Sequence, residues 1–157
     1  TPQQVYGVEL SADARILPNL KAGANFSWFE GKLKSSTGKW DTYMSNISIP
    51  AAKLGMYVNY SPIENTYLQL QYVHTGKRNR FAPNASGVYN EGEGIVRRIN
   101  LLNLMAGVKV KSWDFSLAVS NLLNYTYYTP ASMLMARNAE YAHADGRNIT
   151  LTVGFRY

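Results

Sequence analysis

The sequence predicts an all-β chain, an antiparallel up-and-down meander of about seven strands that is part of a larger transmembrane β-barrel. Three observations lead there. Seven segments alternate apolar and polar residues with period two, the repeat of a strand and not of a helix. The connections between them alternate in length: short, long, short, long, short, long. The chain is 46% hydrophobic, yet its mean hydropathy is −0.25. Amphipathic strands average to such near-neutral values, whereas spanning helices do not.

The first segment runs from about Gln4 to Ile16. Tyr6, Val8, Leu10, Ala12, Ala14 and Ile16 oppose Gly7, Glu9, Ser11, Asp13 and Arg15. Leu17-Pro18-Asn19 makes a short turn, because Pro and Asn favour turn geometry. The second runs from about Leu20 to Glu30, with Leu20, Ala22, Ala24, Phe26 and Trp28 on one face. A polar loop over 31–50 follows. Segment three, Lys53 to Tyr60, sets Leu54, Met56, Val58 and Tyr60 against Lys53, Gly55, Tyr57 and Asn59. After a short turn over 61–65, segment four runs from Thr66 to Thr75. Gly76 to Arg97 is a second long loop. Segment five, Ile99 to Lys111, turns tightly at Lys111-Ser112 into segment six, where Trp113, Phe115, Leu117 and Val119 share a face. Asn121 to Arg147 is the third long loop.

The seventh segment closes the chain. Ile149, Leu151, Val153, Phe155 and Tyr157 fall on one face, and Asn148, Thr150, Thr152, Gly154 and Arg156 on the other. Short turns at one end and long loops at the other are the habit of outer-membrane barrels. A soluble small barrel with the apolar face inside, holding an apolar ligand, would also alternate. So would a passive porin or adhesin barrel.

Composition narrows the classes. No stretch approaches the roughly 20 apolar residues of a spanning helix. Twelve Tyr and three Trp suit sheet and also membrane-interface girdles. Tyr60, Tyr72, Trp113 and Tyr157 fall near strand ends, where such rings belong. The net charge is +6 and the pI about 9.5, but Lys and Arg form no long block, which sets nucleic acid aside. The chain has no Cys, so disulfides and thiolate metal sites are excluded. The start, Thr1-Pro2-Gln3-Gln4, runs straight into a strand and reads as mid-chain, so a fragment is expected.

No catalytic constellation stands out, and no cofactor is expected. There is no nucleophile elbow and no phosphate-cradling glycine loop. His74 is expected to face a loop or an interface. Glu140, His143 and Asp145 carry metal-ligand spacing, but in a loop without Cys the signal is weak and no metal site is assigned. The second long loop carries more. Lys77, Arg78 and Arg80 open it, Arg97 and Arg98 close it, and Phe81 and Tyr89 lie between. If the loop ends meet, five cations gather at one rim, and guanidinium groups suit carboxylate, phosphate or catecholate-type anions. The competing reading is that these cations face the anionic outer leaflet or solvate the loop.

Three stretches resemble the C-terminal part of the β-barrel of a TonB-dependent outer-membrane receptor. Val5-Tyr6-Gly7-Val8-Glu9-Leu10 is similar to that family's tyrosine-glycine-x-glutamate strand. Val119-Ser120-Asn121-Leu122-Leu123-Asn124-Tyr125-Thr126-Tyr127-Tyr128 is similar to its asparagine-leucine-phenylalanine-asparagine segment, with Leu123 where the family has Phe. Gly146-Arg147-Asn148 resembles the start of its last strand. The resemblance implies that residues 1–157 are the last third of a plugged barrel of about 22 strands. It implies energy-coupled uptake of a large nutrient, a ferric siderophore first among them, at the outer membrane of a Gram-negative bacterium. The implied partners are outer-membrane lipid, TonB acting through an absent plug domain, the anionic ligand, and the barrel-assembly machinery. Val153, Phe155 and Tyr157 would form the assembly signal, and the inward glycines Gly7, Gly23, Gly55, Gly107 and Gly154 would leave room for a plug.

Overall fold

A computed structural model describes residues 1–135 and 142–157. Its strands are β1 (Gln3–Leu17), β2 (Leu20–Leu33), β3 (Thr42–Tyr43), β4 (Lys53–Tyr60), β5 (Thr66–Thr75), β6 (Ile99–Val110), β7 (Trp113–Ser120) and β8 (Asn148–Phe155), with one helical turn, α1 (Pro130–Met135). The seven longer strands pair antiparallel in the order β1-β2-β4-β5-β6-β7-β8, and β3 adds a short pairing to β2. β1 and β8 are the two edges, and no ladder joins them. The meander is one curved sheet that does not itself close into a barrel.

The register puts like faces together. Directly opposed residues share a face. Ala14, Ala22, Val58, Leu70, Leu104, Val119 and Ile149 are consecutive partners across all seven strands. Leu20, Tyr60, Leu68, Ala106, Leu117 and Leu151 form the next row. Rows of the other parity are polar: Asp13, Gly23, Tyr57, Gln71 and Asn103 are consecutive partners. A slip of one residue in any strand would break this pattern.

Among the described residues nothing covers the apolar face. Leu10 is 63% exposed and Leu151 is 70% exposed. A soluble sandwich would cover these side chains with a second sheet, and a small inside-in barrel would wrap them inward. A face this large and uncovered fits a lipid environment, where strands of about 9–11 residues span the hydrocarbon. β5, with ten residues, has that length.

The turns explain the short end. Asn65 and Lys111 adopt left-handed backbone, with φ of 59° and 54°. Asn tolerates that region, and a tight hairpin needs it. Thr66 Oγ1 donates to the Ile63 carbonyl at 2.6 Å and closes the 61–65 turn.

Three sequence expectations change. β2 does not stop at Glu30 but continues to Leu33, because β1 pairs it to its end, Gln3 with Leu33 and Gln4 with Lys32, and β3 adds Tyr43 opposite Lys32 and Thr42 opposite Leu33. The third loop carries α1, whose first residue is Pro130 and whose cap is Thr129, Oγ1 accepting the Ser132 N–H at 3.1 Å. Four of the five inward glycines do not leave open room, while a Cβ at Gly154 would meet Asp114 at ordinary contact distance. The Tyr67 ring lies over Gly107 and the Tyr57 ring over Gly23, each reaching across from the paired strand, while Phe29 fills the space at Gly7 and Asn25 that at Gly55. Tyr57 also donates a hydrogen bond to Asp13 Oδ1. The rings seat where a methyl would collide, so glycine here locks register between strands.

The buried core lies at the long-loop end. Ala51, Val96, Ile99, Met133 and Leu134 cluster there, with Leu101, Tyr127 and Tyr128 packed against them. These residues come from all three long loops and the top of β6. The loops are therefore one packed layer above the sheet.

Candidate functional site

The loop layer is held by a buried polar network. Glu30 ends the outward stripe of β2, three residues beyond the last β2–β4 pair at Ser27. Its side chain is 4% exposed and that of Arg78 is 5% exposed. Arg78 Nη2 donates to Glu30 Oε1 at 2.7 Å, and Arg80 Nε donates to Glu30 Oε2 at 3.0 Å. The Gly31 N–H adds a third donor at 3.1 Å. Arg78 Nε donates to Asn46 Oδ1 at 2.8 Å. Asn46 then reaches into the second loop, donating to the carbonyl of Gly94 from its side chain and to that of Gly92 from its backbone, at 2.5 and 2.7 Å. One carboxylate thus anchors loop 76–98 to β2 and, through Asn46, to loop 34–52.

Glu30 lies at the loop end of β2, beyond the ladder with β4. Burial by itself would raise its carboxyl above the ordinary range. The Arg78 hydrogen bond, the Gly31 N–H and the charges of Arg78 and Arg80 outweigh burial and hold it below that range.

The second cluster belongs to the third loop. The Arg97 guanidinium lies over the Tyr128 ring at 5.9 Å, and Tyr128 stacks on His143 with centroids 4.5 Å apart. The Tyr128 hydroxyl and His143 Nε2 are 3.3 Å apart. The Arg97 N–H meets Met133 Sδ at 3.3 Å.

The asparagines of the 119–128 stretch have structural work. Asn121, with φ of 51°, is buried. Its Nδ2 donates to the Tyr125 carbonyl and its Oδ1 accepts the Tyr125 N–H, both at 2.8 Å. Asn124 Oδ1 accepts the Arg147 N–H at 2.9 Å and joins the two ends of the third loop.

The ends of the second loop meet, Arg78 and Val96 exchanging both backbone hydrogen bonds, and the cations read from the sequence take different surroundings. Arg78 is turned onto Glu30, because a carboxylate on an otherwise apolar strand face must be compensated when the loops cover it. Arg80 is 41% exposed and shares that partner. Arg97 goes to Tyr128. Lys77 and Arg98 are exposed, and Phe81 and Tyr89 are half-buried. Val153, Phe155 and Tyr157 are exposed on or beyond β8, and Phe155 packs against Trp113 at 4.8 Å. His74 finds Asn100, Nδ1 to Oδ1 at 2.6 Å, and stacks on Tyr72. Of the Glu140, His143 and Asp145 set, Glu140 lies outside the described residues, and no group that could hold a metal ion occurs among the described residues. Sequence reading passed over Glu30 and Asn46. The signal for Glu30 was present: it is an acid continuing an apolar stripe.

A family model described as "TonB dependent receptor-like, beta-barrel" matches residues 2–122. The chain belongs to this family. Solved structures share the fold. The copper transporter OprC aligns at a TM-score of 0.75 and 18% identity, over 99% of this chain and 24% of that one. The ferric-catecholate import receptor Fiu from E. coli aligns at 0.71 and 18%, over 98% and 21%. The ferric enterobactin receptor of Pseudomonas aeruginosa aligns at 0.66 and 17%, over 96% and 22%. The chain therefore spans less than a quarter of the receptor-sized chains it matches.

Proposed function

We propose that this chain is the C-terminal part of a TonB-dependent receptor barrel in the outer membrane of a Gram-negative bacterium, and that the whole receptor imports a ferric siderophore. Energy would arrive from TonB through a plug domain upstream of residue 1. The observation that carries this reading is the pairing of an uncovered apolar face with three long loops packed together at one end. A lipid-embedded wall with a structured mouth suits capture of a large ligand from outside. The names of the ferric-catecholate and enterobactin receptors support the siderophore class, and OprC's name makes copper the competing cargo.

In this reading the ligand meets Arg97, Arg98, Phe81 and Tyr89. Arg97 brings its charge beside the Tyr128 and His143 rings, a combination suited to a flat anionic chelate. Arg78 and Arg80 act indirectly, by fixing the loop through Glu30. Val153, Phe155 and Tyr157 form the outward signal for the barrel-assembly machinery. The test is uptake by cells lacking the native gene and expressing the full-length receptor. Accumulation of a radiolabelled ferric siderophore is expected, with at least about a tenfold loss of binding in Arg97→Ala if one charge-assisted contact is removed. Copper uptake with no ferric-siderophore uptake would overturn the cargo. Unchanged ligand binding in Arg97→Ala would overturn the placement of the site.

A further inference from the structure

We infer that the third loop holds a pocket for an ammonium group, carried by the cargo on an arm beside its anionic ferric chelate. The inference rests on the proposed uptake of such a chelate and names a second chemical feature of it. The pocket, of about 350 Å³, lies between the third loop and the end of the sheet. Small-molecule sites run from about 300 to 1,000 Å³, so this one suits a small group. Leu101 and Asn103 of β6, Ser120 of β7, Asn148 of β8, and Tyr127 and Asp145 of the third loop line it. The register shows which side it opens on. Ser120 is the direct partner of Asn148, and Asn103 that of Gln71. All four lining strand residues share the parity of the polar rows, opposite to Leu104, Val119 and Ile149. The pocket therefore opens on the polar face of the sheet, away from the apolar rows.

Free polar groups decide what the pocket takes. Asn103 accepts the Asn121 N–H at 3.0 Å and donates to Gln71 Oε1 at 3.2 Å, and Asn121 spends its amide on Tyr125. These groups set the wall. The Asp145 carboxylate differs: among the described residues it joins no ion pair. Its backbone is nonetheless fixed on both sides. The Ala144 N–H donates to the Tyr127 carbonyl at 2.9 Å, and the Arg147 N–H to Asn124 Oδ1 at 2.9 Å. Gly146 permits the second tether, since a Cβ there would come within 3.0 Å of that same Asn124 oxygen. No Lys or Arg lines the pocket, so its one charge is negative. Ser120 Oγ and Asn148 Oδ1 add neutral acceptors, and Tyr127 adds an aromatic ring. A carboxylate, neutral oxygens and a ring are what an ammonium leaving water needs, whereas an anion would be repelled. The cationic cluster is adjacent in the chain. Tyr128, under Arg97, follows Tyr127, and His143, stacked on Tyr128, lies two residues before Asp145. Opposite charges on the same two segments select a cargo that carries both.

The experiment uses the full-length receptor in detergent micelles, with the Kd read from quenching of its tryptophan fluorescence. The probes are ferric tris-catecholates of 2,3-dihydroxybenzoyl amides that differ only at the end of the arm: a primary amine, its N-acetyl form, or a hydroxyl. The amine form is expected to bind at least about tenfold tighter than the other two, the scale of one charge-assisted contact. Asp145→Asn is expected to abolish that preference. Asn148→Asp, which adds a second carboxylate to the pocket, is expected to widen it, a gain that misfolding cannot produce. Equal affinity for the amine and acetyl forms, an undiminished preference in Asp145→Asn, or an unchanged one in Asn148→Asp overturns the inference and leaves the transport reading standing. A hydroxyl form that binds as tightly as the amine assigns the pocket to uncharged polar groups and overturns the ammonium assignment. Binding of none of the chelates overturns both readings.

Discussion

Glu30→Ala should loosen two long loops together, by an amount the structure sets. In the native chain Glu30 has three donors, whereas Arg78 has Glu30 and Asn46. Removing Glu30 leaves the Arg78 guanidinium buried with one neutral acceptor. Breaking a buried pair from one side costs about 3–5 kcal/mol. Removing Arg78 leaves Glu30 still held by Arg80 and the Gly31 N–H, so Arg78→Ala should cost less, about 1–3 kcal/mol. Arg80 is partly exposed and its pairing is screened, so Arg80→Ala should cost less than about 1 kcal/mol. The order Glu30 > Arg78 > Arg80 is the signature. Hydrogen exchange on the reconstituted full-length receptor reads it at the Asn46 and Arg78 amides, which donate to Gly92 and Val96. At a factor of ten per 1.4 kcal/mol, Glu30→Ala should speed local exchange by about 10²- to 4 × 10³-fold in both loops. Replacing both partners, Glu30→Met with Arg78→Met, should recover most of the loss, because no unpaired charge remains. Exchange unchanged in Glu30→Ala, or faster in Arg78→Ala than in Glu30→Ala, would refute the reasoning.

Four further outcomes follow. The Glu30 carboxyl is held below its ordinary value of 4.5 in the folded state. The network's contribution is therefore full at neutral pH and is lost as the pH falls from that value through the lowered one; Glu30→Gln should remove this acid sensitivity from the exchange profile. Leu104→Arg should cost about 2–4 kcal/mol in a bilayer, while Asn103→Arg costs far less; equal costs in urea unfolding would undo the face assignment. Gly107→Ala should cost about 1–3 kcal/mol because the new methyl meets the Tyr67 ring, and Tyr67→Ala should rescue it; an additive double variant would show that the two do not touch. Asn121→Ala gives up two hydrogen bonds and an Asn suited to left-handed backbone, so about 1–3 kcal/mol and faster exchange at Tyr125 are expected; wild-type exchange there would deny the turn its role.

Much of the fold could be read from the chain because period two is a local signal. β4 and β5 begin and end where their alternation does, and the short turn over 61–65 joins them. Alternation also implied the register, and every apolar row follows. What the sequence did not show is non-local. β2 runs on to Leu33 because β1 pairs it to its end and Thr42 and Tyr43 also fold back onto it. Arg78 looks like a ligand contact in a basic run, and only the approach of β2 supplies its carboxylate. Inward glycines look like empty space until the ring on the next strand is placed over them. α1 was hidden in a polar loop, although Thr129-Pro130 is a helix-start signal. The asparagines of the 119–128 stretch were recognised as a pattern, and their turn-closing bonds give that pattern its physical cause.

The central claim is that one face of the sheet meets lipid and the other does not. These 157 residues contain no Cys. Single cysteines along β6, from Leu101 to Lys109, can therefore be spin-labelled in the reconstituted full-length receptor after any upstream cysteines are replaced. Collision with oxygen, which concentrates in hydrocarbon, is compared with collision with a water-soluble nickel chelate. Oxygen access is expected to peak at Leu102, Leu104, Ala106 and Val108 and to fall at Leu101, Asn103, Met105, Gly107 and Lys109. A flat profile, or one with the opposite phase, would contradict the account.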